Sequence, residues 1–138
     1  LPLALRKMSD THHRLITYRK RFKPANKHQY DGELIVLINE QSFSAASLLA
    51  GRIKSEQRGL LYGSVSSGAY RGTYGGYFGT IKLKASGLFI RLPRFEVVAK
   101  VDPQLNALPL LTPDVVIPLQ YTALLQGKDV QLEKAMEN

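Results

Sequence analysis

The chain contains no cysteine, no tryptophan and only three histidines. Its apolar runs fall well short of the ~20 residues that a membrane-spanning helix requires. Without thiols, disulfides, zinc-thiolate centres and a cysteine nucleophile are all excluded, while the compartment stays open because proteins of every compartment can lack cysteine. Acidic residues are scarce too: 11 Asp and Glu stand against 19 Lys and Arg, a formal net charge of +8 over 138 residues. That length fits one compact domain or a piece of a larger one. Hydrophobic residues make up 44% and charged residues 22%, the composition of an ordinary globular protein. The opening Leu1-Pro2-Leu3-Ala4-Leu5-Arg6 has neither a start Met nor a signal-peptide pattern, so a processed or excised part of a longer protein is expected.

The charge is concentrated at one end. Residues 1–30 hold eight basic groups and one acid, Asp10, for a local +7, and the other 108 residues sum to +1. Tyr18-Arg19-Lys20-Arg21-Phe22 interleaves cations with aromatics, a pattern compatible with phosphate contacts. It is equally compatible with a solvated segment or a charged edge strand. No nucleic-acid-binding motif accompanies it, which argues against a nucleic-acid partner.

Leu34-Ile35-Val36-Leu37-Ile38 is a short branched apolar run and predicts a strand buried on both faces. From Ser44 the apolar residues Ala45, Leu48, Leu49 and Ile53 recur at helical spacing, and Arg58-Gly59 supplies a stop. Leu60-Leu61-Tyr62 predicts a second strand, so the unit reads strand, helix, strand, as in a parallel α/β layer. Between Gly63 and Gly79 lie six of the eleven glycines, with Tyr70, Tyr74, Tyr77 and Phe78 among them, which predicts a loop. Those tyrosines suit either the lining of a groove for an extended peptide or a plain surface loop. Thr80 to Lys84, a turn at Ala85-Ser86-Gly87 and Leu88 to Leu92 predict a hairpin, and Arg94 to Val101 a further strand. Leu105 to Leu111 is apolar without a period, and Asp129 is a candidate N-cap for a closing amphipathic helix through Leu132, Ala135 and Met136.

The chemistry concentrates in Ile38-Asn39-Glu40-Gln41-Ser42-Phe43-Ser44-Ala45-Ala46-Ser47. A strand delivers the chain to a sharp turn, and a helix starts where the side chains are small. Ser44 then stands near a helix N-terminus, where unpaired N–H groups and the positive dipole end stabilise an oxyanion. Acyl transfer by a serine nucleophile wants this arrangement. Spacing alone leaves a second reading open, in which Ser42 or Ser44 merely caps the helix.

The order of motifs resembles a known family. Asn-Glu-x-Ser-x-Ser-Ala-Ala after a strand, then Arg58-Gly59-Leu60-Leu61-Tyr62-Gly63 and a Gly-rich loop, is similar to the catalytic region of the C-terminal processing (tail-specific) peptidases, the serine family that includes the tricorn core. Thr112-Pro113-Asp114-Val115-Val116-Ile117 resembles that family's Pro-Asp signature, and Gly127 to Ala135 its closing helix. The resemblance runs from about Tyr30 to the C-terminus. It implies an α/β fold with a ClpP/crotonase-like layered sheet and helix core and a strand-rich second half. Residues 1–30 would be a basic segment continuing a missing upstream part, and 31–138 the C-terminal part of a serine peptidase catalytic domain.

The implied activity is hydrolysis of peptide bonds in a polypeptide substrate, with Ser44 as nucleophile and the Ala45 backbone N–H in the oxyanion hole. The second oxyanion donor would come from an upstream Gly-rich turn, Gly68 and Tyr70 would border the substrate, and no metal or organic cofactor is implied. A periplasmic or cell-envelope location is the family's habit. The chain departs from the pattern at the base: the dyad lysine is expected about 25 residues after the serine. There the chain reads Gly68-Ala69-Tyr70, with no lysine between Lys54 and Lys82. An upstream His, as in tricorn-like members, could supply the base; a catalytically inactive peptide-binding homologue is the alternative. His12, His13 and His28 match no family position, Asp102 before Pro103 reads as a turn residue, and Lys82 and Lys84 read as solvent-facing. The acid expected three residues after the nucleophile is Ser47 here, and the glycine three before Pro113 is Leu110.

Overall fold

In the computed structural model the described residues are 5–7, 13–15, 30–104 and 109–137. The chain divides into two units, Leu1–Gly32 and Glu33–Asn138. In the first, β1 (Leu5–Lys7) pairs antiparallel with β2 (His13–Leu15). The cluster Tyr18 to Phe22, with His12 and His28, lies outside the described residues.

The second unit mixes helices and strands in a small domain compatible with an α/β fold. Its centre is a parallel three-stranded sheet ordered β3-β4-β9, made of β3 (Ile35–Ile38), β4 (Leu60–Gly63) and β9 (Val115–Val116). Helix α1 (Ala45–Ser55) makes the crossover between β3 and β4. The core gathers Ile38, Ala50, Leu61, Tyr70, Val101 and Leu111. Gly63 ends β4 at φ +124°, and a Cβ there would stand 2.0 Å from the Ile38 carbonyl oxygen, so only glycine closes this strand pair.

Two details of this unit correct the sequence reading. Among the described residues β3 is an edge strand with β4 as its one neighbour, and only Ile38 of its four residues is buried, so the strand is not covered on both faces there. Helix α1 turns Ser47, Ala50 and Gly51 inward and leaves Leu49 63% exposed. Small residues win that face because the helix lies close to the chain behind it: a Cβ on Gly51 would meet the Tyr70 carbonyl oxygen at 3.2 Å.

The Gly-rich stretch is less of a loop than expected. It contains β5 (Gly72–Tyr74), which pairs antiparallel with β8 (Glu96–Val98), and the start of β6 (Phe78–Lys82). β6 and β7 (Phe89–Pro93) form the expected hairpin, with Ile81 opposite Ile90. Almost all of it is exposed, Lys82 and Lys84 included, and Arg91 lies over the Phe78 ring at 4.3 Å. The sequence carried no signal for α2 (Tyr121–Leu125), a single short turn. Helix α3 (Val130–Met136) is capped as expected, the Asp129 carboxylate accepting from Leu132 N–H at 3.0 Å. Its inward residue is Gln131, which donates to the Ile117 carbonyl at 2.8 Å, while Leu132 and Met136 are exposed. No helix among the described residues is long and apolar enough to cross a membrane.

Candidate active site

The site begins where β3 ends. Asn39 folds the chain back on itself: its side-chain Oδ1 accepts from Gln41 N–H at 2.9 Å and its carbonyl from Ser42 N–H at 2.9 Å. The Ser42 hydroxyl accepts from Asn39 N–H at 3.1 Å and so belongs to this turn, not to a helix cap. A cavity of about 170 Å³ opens beside Asn39, walled also by Pro118, Gln120 and Lys128.

Ser44 follows at φ 56°, ψ −121°, a backbone region that side-chain-bearing residues rarely occupy. It is exposed, and its hydroxyl makes no capping bond and has no hydrogen-bond partner among the described residues. The capping alternative therefore fails for both serines. Next comes Ala45, the first residue of α1, whose N–H also finds no partner among the described residues. An exposed hydroxyl and a free amide thus adjoin at the N-terminus of an 11-residue helix with exposed methyl side chains at Ala45 and Ala46. Unpaired N–H groups and the helix dipole there favour negative charge.

Beneath the turn lies a buried polar cluster that sequence reasoning missed. Ser47, fully buried, donates from its hydroxyl to the Ser44 carbonyl at 2.9 Å. Ser66, 1% exposed, donates to the Ser42 carbonyl and accepts from Gly68 N–H at 2.8 Å. Gly68 presses against α1, since a Cβ on it would stand 2.3 Å from both Cβ and Oγ of Ser47. A signal existed in part: Ser47 replaces the acid expected at that position, and a hydroxyl is small enough to admit Gly68.

Gly68 and Tyr70, the residues expected to border the substrate, are both buried. Gly68 is buried, its N–H bonded to Ser66 and its carbonyl to Leu111 N–H at 3.1 Å, so both peptide groups are engaged inside the protein. Tyr70 is 1% exposed and belongs to the core. Its hydroxyl has no hydrogen bond of ordinary geometry. Burial raises its pKa above the usual tyrosine value; the nearby Ser55 hydroxyl partly opposes the rise, and the Asp102 and Asp114 carboxylates add to it. Tyr74 and Tyr77 are exposed.

The charged residues nearest the sheet serve its architecture. Lys54 of α1 donates to Asp114 at 2.6 Å and to the Thr112 carbonyl at 2.9 Å. Asp114 accepts from Leu61 N–H at 2.8 Å, and its own N–H donates to the Leu61 carbonyl at 2.7 Å. The Asp of the Pro-Asp signature therefore fastens β9 to β4 and to α1. Asp102 is a turn residue, accepting from Gln104 N–H at 2.9 Å while its own N–H donates to the Ser55 hydroxyl at 2.7 Å. His13 is known only as a backbone position in β2. No group of three or more His, Asp or Glu suited to a metal ion occurs among the described residues.

The sequence profile of peptidase family S41 matches residues 3–117. The match takes in the basic segment and everything through Ile117, and it ends before α2 and α3. No curated protein matches the chain.

Proposed function

The chain belongs to peptidase family S41, and on that premise we propose that it is a serine-type peptidase of the tail-specific and tricorn-core kind, cleaving peptide bonds through an acyl-enzyme on Ser44. The layering proposed with it is that of the ClpP and crotonase fold. The observation that carries the reading is the strained, exposed and unpartnered Ser44 beside the free Ala45 amide.

In the first half-reaction the Ser44 Oγ attacks the scissile carbonyl carbon while a general base takes its proton. The carbonyl oxygen becomes an oxyanion, stabilised by the Ala45 N–H; a donor of this kind is worth about 2.7–4 kcal/mol. Collapse breaks the C–N bond, the leaving amine takes the proton, and water then releases the acyl group from Ser44. Lys54 is not the base, because its ammonium is held by Asp114 and the Thr112 carbonyl.

A fluorophosphonate probe tests the assignment. The chain is expected to be labelled once, at Ser44, and Ser44→Ala to abolish labelling. Labelling that survives the substitution refutes the nucleophile, and a folded chain that takes no label favours the peptide-binding alternative.

A further inference from the structure

Two buried hydroxyls bracket the strained residue of the turn. Ser66 holds the Ser42 carbonyl, two residues before Ser44, and Ser47 holds the carbonyl of Ser44 itself. The Ser66 contact spans 24 residues of sequence, so it is no part of local turn or cap chemistry. Ser66 is itself anchored to the core. Its N–H donates to the Leu111 carbonyl at 3.0 Å, Leu111 N–H returns to the Gly68 carbonyl at 3.1 Å, and Leu111 is fully buried.

A side-chain-bearing residue in a sparsely populated backbone region persists only where its surroundings over-determine it. The Ser42 carbonyl has no partner among the described residues other than Ser66. Without that bond the peptide plane between Ser42 and Phe43 is held only through its N–H, which donates to the Gln41 carbonyl at 3.1 Å within the turn itself, and Ser44 can relax toward an ordinary conformation. We propose that Ser66 is a positioning residue for the nucleophile: its hydroxyl fixes the Ser42 carbonyl and thereby holds Ser44 in the strained conformation that exposes Oγ and leaves the Ala45 N–H free. This rests on the reading of Ser44 as nucleophile given above. Ser66 touches no substrate; it acts through the turn.

The test uses the intact chain and two readouts: the second-order rate of fluorophosphonate labelling, and the amide ¹H–¹⁵N shifts of Ser44 and Ala45. The variants are Ser44→Ala, Ser66→Ala, Ser66→Thr and Ala50→Gly. Ala50 is 2% exposed on the core face of α1, so its replacement loosens the fold without touching the turn. Ser66→Ala is expected to slow labelling about 10-fold or more, the scale of effect that misplacing a reacting group produces. It should also displace both amide signals. Ser66→Thr, which restores the hydroxyl, should recover rate and shifts, and Ala50→Gly should label within about threefold of the unsubstituted chain. Where Ser66→Ala does not fold, Ser66→Cys, with its weaker donor, takes its place.

Unchanged rate and shifts in Ser66→Ala overturn the proposal. So does equal slowing in Ala50→Gly, or no recovery in Ser66→Thr. Failure of the underlying reading looks different: labelling that persists in Ser44→Ala, or none in the unsubstituted chain, refutes the nucleophile however the Ser66 variants behave. The amide shifts then still decide whether Ser66 holds the turn.

Discussion

Replacing Ser44 by glycine should make the chain more stable while ending its reaction with fluorophosphonate. At φ 56°, ψ −121° the Cβ is what makes the conformation unfavourable, and a residue held in such a region carries about 1–3 kcal/mol of strain. Glycine removes that strain, but it gives the unfolded chain extra freedom worth about 0.5–1 kcal/mol. The hydroxyl contributes nothing to offset this, being exposed and without a hydrogen-bond partner among the described residues. The net expectation is a gain of about 1 kcal/mol, or roughly 3–5 °C in Tm for a chain of this size. Ser44→Ala keeps the Cβ and therefore the strain, so it should stay within about 0.5 kcal/mol of the unsubstituted chain. Urea unfolding of all three, with the m-value checked for constancy, gives the strain as the stability difference between glycine and alanine plus the glycine entropy of about 0.5–1 kcal/mol. A glycine variant no more stable than the alanine variant would refute the argument, because the strain would then be no larger than the entropy that glycine costs.

Two other expectations follow from the polar contacts. Asp114→Asn keeps an acceptor for Leu61 N–H but loses the charge facing Lys54, both side chains being partly exposed, and should cost about 1 kcal/mol; Asp114→Ala also strands the buried Leu61 N–H and should cost about 2–3 kcal/mol. A double-mutant cycle with Lys54→Met measures the ion pair directly, and a coupling near zero would show that Lys54 and Asp114 act independently. For Tyr70, burial raises the folded-state pKa above the unfolded one. The unfolded chain therefore loses this proton first as pH climbs, and stability should fall above about pH 10. Tyr70→Phe should resist alkaline unfolding to a higher pH, and an unchanged alkaline midpoint would rule out Tyr70 as a contributor.

What the sequence disclosed follows from how local each signal is. β3, α1 and β4 were legible because runs such as Ile35 to Ile38, and helical spacing after Ser44, act over a few residues. The pairing of Gly72 to Tyr74 with Glu96 to Val98 was not, because a three-residue strand is defined by its distant partner and Gly72 resembles loop. Ser44 stood out as a candidate through the order of motifs around it. Ser66 did not, since nothing near it announces a hydroxyl bonded to a carbonyl 24 residues earlier. The burial of Tyr70 was hidden for a related reason: among glycines it resembles a groove aromatic, and the close approach of Gly51 shows its ring in the core. On α1 the periodicity of Leu48 and Leu49 pointed to one face, while tight packing selected Ser47, Ala50 and Gly51 instead.

The conformation of Ser44 also bears on the history of the chain. Natural proteins sit just above the stability they need, and substitutions that raise stability are readily accepted where function does not oppose them. A glycine at position 44 is such a substitution for any descendant that has stopped using the hydroxyl. A lineage that kept the fold only for binding would be under no selection to keep this serine, and drift would remove it early. At this backbone conformation, which glycine would fill more comfortably, a use for the hydroxyl is what would set serine above glycine.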